Sequence, residues 1–135
     1  AEDKVFAEKI SKSLGLVLDT KYTEGVEPYS DSGKAGGSTD VGDVSFTVPT
    51  VGLRAATWVP GTSAHSWQAV AAGGTNIGNK GMMVAAKTIA LTGMQLLDSP
   101  KIIKAAKEEF IKKRGADFKY TPMLGDRKPA LNYRN

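Results

Sequence analysis

The sequence has no cysteine and only one histidine, His65. Without cysteine there can be no disulfide, no thiolate zinc site and no cysteine nucleophile. A lone histidine is thin provision for a metal centre, which draws three or more protein ligands from His, Asp and Glu. No apolar run approaches the roughly 18 consecutive residues expected of a membrane span, and no secretory leader pattern opens the chain. Basic tracts interleaved with aromatics are missing too. The lysines gather in "KIIKAAKEEFIKKRG", where glutamates interrupt them, and in the tail. That pattern describes a solvated helix face, so the net charge of +4 gives no footprint for nucleic acid.

What remains is ordinary for a globular chain. Of 135 residues, 41% are hydrophobic and 24% charged, enough for one domain with a core. A cytoplasmic setting fits best. The chain opens at Ala1 rather than methionine, as a processed or excerpted polypeptide would.

Residues 3–14 read as a helix, with Phe6, Ile10 and Leu14 on one stripe and Gly15 as the stop. "LGLVLD" reads as a short strand or an extended lead into a loop. Residues 19–38 are polar, rich in Gly, Ser and Asp, and without periodicity; loops of that length are usually functional or disordered. "VSFTVPTVGLRAATWV", 44–59, is rich in β-branched residues and reads as two strands or one bent strand, interrupted at Pro49 and Gly52. "GTSAHSWQAVAAG" reads as a turn opening a short helix. Residues 77–97 give the strongest helical signal and are apolar nearly all round, with Lys87 in the middle. A last helix has Ser99 as N-cap, Pro100 at N1 and Gly115 at its end. Its expected buried face is Ile102, Ile103, Ala106, Phe110 and Ile111, with Glu108–Lys112 and Glu109–Lys113 pairs outside. Residues 116–135 form an irregular tail, and the whole of 1–135 reads as a single segment. Strands followed by such helices predict an α/β arrangement, part of a mixed β-sheet with flanking helices. The apolar helix 77–97 then wants more cover than this chain supplies, from another chain or domain.

Three chemical motifs can be set aside. "GGTNIGNKGM" has the glycine separation of a phosphate loop, but Asn79 follows Gly78 and Gly81 follows Lys80, so the lysine and the hydroxyl are misplaced. Glu108 and Glu109 are adjacent on a helix among lysines, which suits a solvated face. Ser63, His65 and Ser66 are too close in sequence for a triad, and no nucleophile elbow exists. Asp40, Asp43 and His65 remain. The aspartates sit in "GSTDVGDVSFTVPT", and the histidine follows a Gly-Thr-Ser turn, at a helix mouth, ahead of Trp67 and Gln68. Together they amount to half a metal site.

"GSTDVGDVSFTVPT", "GTSAHSWQAVA", "NIGNKGMMVAAKTIALTGMQLL" and an "AKEEF" helix, spanning about 37–112, resemble the C-terminal portion of M20-type metallopeptidases. The nearest likeness is to the aminobenzoyl-glutamate hydrolase B-subunit branch. That resemblance implies the C-terminal part of a zinc-peptidase-like catalytic domain, a dinuclear zinc or manganese centre and hydrolysis of the amide bond of aminobenzoyl-glutamate or related N-acyl amino acids. His65 matches the last metal-ligand histidine. Ser38, Thr39, Asp40 and Asp43 match a loop beside the active site, as pocket-lining or substrate-binding residues without a ligand role. The family's His-x-Asp pair, its general-base acidic pair, its middle histidine and its lid domain have no counterpart here. The segment is therefore expected to be inactive alone, with no catalytic residue of its own. Its expected partners are the remainder of the catalytic domain or a partner chain, and an acyl-amino acid substrate, with homo-oligomer formation left open. The rival is a non-enzymatic remnant or subunit that binds a partner chain through its apolar helix face.

Overall fold

The structure, a computed structural model, describes residues 2–20, 25–30 and 39–132. Five helices follow in order: α1 (Glu2–Ser13), α2 (Val41–Thr47), α3 (Trp67–Gly73), α4 (Asn76–Asp98) and α5 (Pro100–Arg114). The chain divides into two compact units. One comprises residues 1–34 and 52–98, the other residues 35–51 and 99–135.

In the first unit, α1 ends as its glycine dictates. Gly15 takes φ +69, its N–H reaches the Lys12 carbonyl at 3.1 Å, and the Leu16 N–H reaches the Ser11 carbonyl at 2.9 Å. Those two bonds satisfy carbonyls that the helix end would otherwise orphan. Ala7 and Ile10 of α1 pack with Val59 into a small core, flanked by Phe6, Leu14, Leu18 and Ile77. Val59 also begins a turn in which Pro60 and Gly61, at φ +82, lead to a Thr62 N–H bonded to the Val59 carbonyl at 3.1 Å. Proline then glycine at the two central positions suits a type II turn. Leu16 lies against Gly61, where any side chain would collide with it.

Two further glycines decide how α4 packs. A Cβ at Gly78 would lie 2.6 Å from the Gly73 carbonyl oxygen and 2.8 Å from that of Ala72, both at the end of α3. A Cβ at Gly81 would overlap the Ala56 carbonyl oxygen and come within 2.7 Å of Thr57 Cγ2. The backbone of α4 thus lies directly on α3 and on the irregular segment before the turn. Farther along, Met82, Ile89, Leu91, Met94 and Leu97 stay exposed. No helix of the described residues is long and apolar enough to cross a membrane.

In the second unit, α5 carries Pro100 at its first turn after Ser99, and Gly115 closes it at φ +95 with its N–H on the Ile111 carbonyl at 2.9 Å. Ser99 makes no side-chain cap bond. Glu109 pairs with Lys113 at 2.8 Å, whereas Glu108 reaches back to Lys104 at 3.9 Å. Ile102, Ile103 and Ile111 remain exposed, so the expected buried face of α5 is not covered within its unit.

The mixed sheet expected from the sequence is not found: the described residues are helices and irregular segments, with no strand. The 44–59 region shows why. Its first residues close local bonds into α2: the Asp43 N–H to the Asp40 carbonyl, the Ser45 hydroxyl to the Gly42 carbonyl at 2.7 Å and the Val48 N–H to the Val44 carbonyl at 3.0 Å. Beyond Thr47 the backbone extends, with Val48 at φ −138 and ψ 154, but no segment among the described residues completes a ladder with it. β-Branched content marks a fit to a pleated surface and becomes a strand only when a partner provides that surface. "LGLVLD" is likewise irregular rather than a strand.

The glycine contacts predict opposite effects along α4. Gly81→Ala should destabilise the chain by about 1–3 kcal/mol through overpacking against backbone. Gly93→Ala, where a methyl meets nothing within 4 Å, should stabilise it by about 0.5–1 kcal/mol through helix propensity. Urea midpoints of the two variants check the order, and equal midpoints refute it. The bare apolar residues of α4 predict association; sedimentation velocity should show mass rising with concentration, and a clean monomer at high concentration contradicts this.

Candidate functional site

His65 belongs to the first unit. The Val59–Thr62 turn, rooted in the core by Val59, brings the chain to it, and α3 starts two residues later. His65 itself sits at φ +58 with its side chain exposed. A non-glycine residue in the left-handed region is uncommon, though histidine is among those enriched there. The reversal lets Ser66 act as N-cap: its Oγ accepts from the Ala69 N–H at 3.2 Å and donates to the Ser63 carbonyl at 2.7 Å. Beyond it Trp67 is 62% exposed, while Gln68, Ala69 and Ala72 are buried. The imidazole is therefore presented outward by a turn that is pinned on both sides.

Thr39, Asp40 and Asp43 belong to the second unit, at the start of α2; Ser38 and most of the 19–38 loop lie outside the described residues. The Thr39 Oγ1 accepts from the Val41 N–H at 3.4 Å. Asp40 stands at the N-cap position with helical backbone and makes no side-chain cap bond. Asp43 has a definite partner, accepting a short hydrogen bond from the Tyr120 hydroxyl.

That bond belongs to an aromatic cluster which the sequence did not announce. Phe46 stacks on Phe118 with ring centroids 5.6 Å apart, and on Tyr120 at 6.0 Å with the rings 11° from parallel. Arg114 places its guanidinium 4.6 Å from the Phe110 ring centroid and 5.8 Å from that of Phe118, and donates from Nη1 to the Phe46 carbonyl at 3.1 Å. One signal was available: Phe118 and Tyr120 are two apart, a spacing that puts both on one side of an extended chain.

Among the described residues no three of His, Asp and Glu form a group that could hold a metal ion. His65 lies in the first unit, and Asp40 and Asp43 in the second. Glu108 and Glu109 lie on the exposed side of α5 in ion pairs with lysines, which is no setting for a general base. An open cleft of about 390 Å³ is lined by Glu2, Asp3, Asn76 and Lys80, with Lys80 bridged to Asp3 at 2.6 Å. Asn76 and Lys80 come from the "GGTNIGNKGM" stretch already set aside as a phosphate loop, and His65 does not line the cleft.

The Tyr120 hydroxyl has its pKa raised above the ordinary value near 10, first by the hydrogen bond to Asp43, then by partial loss of water and by the carboxylate's charge. Each cause favours the neutral phenol. The stabilisation this brings is present in full below about pH 10 and is lost as pH rises through the folded-state value. An NMR titration of the Tyr120 ring should show the raised pKa, and Asp43→Asn should lower it. Identical titrations in the two proteins would disprove the link.

The chain is 36% identical over 92 residues to the B-subunit of p-aminobenzoyl-glutamate hydrolase from Escherichia coli (strain K12), a stretch covering 67% of this chain and 19% of that protein. This chain thus spans about a fifth of the length of that relative. No family model and no solved structure matches. Over the matched residues this chain belongs to the family of the aminobenzoyl-glutamate hydrolase B-subunit.

Proposed function

We propose that this chain is a C-terminal segment of an M20-type amidohydrolase that cleaves the amide bond of aminobenzoyl-glutamate or a related N-acyl amino acid. The observation that carries this is the 36% identity to a hydrolase of that name. The bare apolar length of α4 supports it, because such a surface suits a segment covered by more protein than these 135 residues supply. A cytoplasmic enzyme and a small acyl-amino acid substrate are part of the same reading.

The residues at hand do not fit a metal by themselves. Zinc or manganese in a hydrolase takes several oxygen and nitrogen donors. This chain offers a single histidine, and Asp43 is engaged by Tyr120. In this proposal His65 is one imidazole donor of a set completed by residues outside the chain. Ser38, Thr39 and Asp40 line the substrate side. Asp43 shapes that wall through α2. The general base also comes from outside, so the segment alone is inactive.

A second reading has support in the same exposed α4 residues and in the relative's being named a subunit. In it the chain is a non-enzymatic module that docks on a partner chain by this helix face.

Calorimetric titration of the chain with zinc or manganese should give weak binding or none. Tight binding of two ions, lost in His65→Ala, would overturn the segment reading. In a hydrolase chain carrying this segment, His65→Ala should lower amide hydrolysis by on the order of 100-fold or more, and Glu108→Gln should leave it unchanged. Full activity in the histidine variant favours the partner-binding module.

A further inference from the structure

The hydrogen bond between Tyr120 and Asp43 does more than satisfy two polar groups near the surface. Helix α2 is seven residues long, too short to hold its shape by its own hydrogen bonds. Every residue from Val41 to Thr47 is exposed, so burial does not hold it either. The contacts described for α2 run to the segment after α5. Gly115 at φ +95 turns the chain out of α5, and residues 116–120 follow with Phe118 and Tyr120 against α2. Asp43 and Phe46 are three apart, on one face of the helix. Phe118 and Tyr120 are two apart in the irregular segment that follows α5. The two spacings meet: the carboxylate takes the phenol, the Phe46 ring takes both aromatic rings, and Arg114 closes on the Phe46 carbonyl.

We propose that Tyr120 is a positioning residue for the substrate wall: by holding Asp43 and Phe46 it fixes α2, and with it the Thr39–Asp40 corner from which α2 starts. The inference rests on the proposed function, in which that corner faces the substrate. It also gives Asp43 a definite task, as the acceptor that ties the wall to the tail. The raised pKa of the phenol is consistent with this, since a neutral hydroxyl is the form that donates.

Tyr120→Phe tests it, because the ring and its stacking stay and only the hydroxyl goes. In the 135-residue chain, amide exchange at residues 42–45 should quicken by on the order of tenfold, the scale of one hydrogen bond to a charged acceptor. Exchange in the α4 helix should not change. In a hydrolase chain carrying this segment, KM for aminobenzoyl-glutamate should rise by roughly the same factor with kcat kept, as expected when binding but not chemistry is disturbed. Asp43→Ala, which removes the acceptor, should match Tyr120→Phe, and the double variant should add nothing further. Unchanged exchange at 42–45 overturns the clamp. Equal acceleration of all amides, α4 included, overturns it as well, because Tyr120 is then a general stability residue. Faster exchange with unchanged KM overturns the positioning role. A wild-type hydrolase chain carrying this segment that never hydrolyses aminobenzoyl-glutamate refutes the functional reading instead, and the exchange data alone then decide the clamp.

Discussion

The backbone of α4 touches two other pieces of chain, and it can do so only because Gly78 and Gly81 carry no side chain. Much of the first unit depends on that approach. The end of α3 rests on Gly78, and the segment at Ala56 and Thr57 rests on Gly81. That segment leads to Val59, which joins Ala7 and Ile10 in the core, and then into the Pro60–Gly61 turn beneath Leu16. His65 hangs between this turn and the capped start of α3. Its position is thus set by backbone contact and a small apolar core rather than by bonds of its own ring.

The second unit is organised on a different principle. Its ordering contacts are a hydrogen bond to a carboxylate, stacked rings and a guanidinium over aromatic faces, all among partly exposed groups. Such contacts are directional and individually modest. They define where α2 lies against residues 114–120 without needing a deep core. A short helix held in this way leaves polar groups such as Asp40 exposed.

Both units leave apolar surface bare. Met82, Ile89, Leu91, Met94 and Leu97 in α4, and Ile102 and Ile103 in α5, all stay exposed. The match to about a fifth of a much longer hydrolase subunit gives this a physical sense.

Helix ends were legible in the sequence because they are decided locally. Gly15 and Gly115 stop helices by taking positive φ, Pro100 starts one, and the 3.6-residue periodicity of 3–14 and 77–97 finds its helices. The resemblance of "GSTDVGDVS" and "HSW" to a hydrolase family was legible too, since it lies in residue identity. The strands expected over 44–59 were not there, because a strand is a property of a pair of segments and β-branched residues name only one of them. The expected burial of Ile102 and Ile103 failed for a similar reason: periodicity shows which face is apolar, not whether anything covers it. The Asp43–Tyr120 bond joins residues far apart in the chain, and no local pattern could foretell it. The sequence by itself determined where helices begin and end and which family the residues resemble, since both depend on neighbours in the chain. Tertiary structure alone decided which carboxylate is engaged, where glycine admits backbone contact and which apolar faces stay open, since each depends on what distant residues bring alongside.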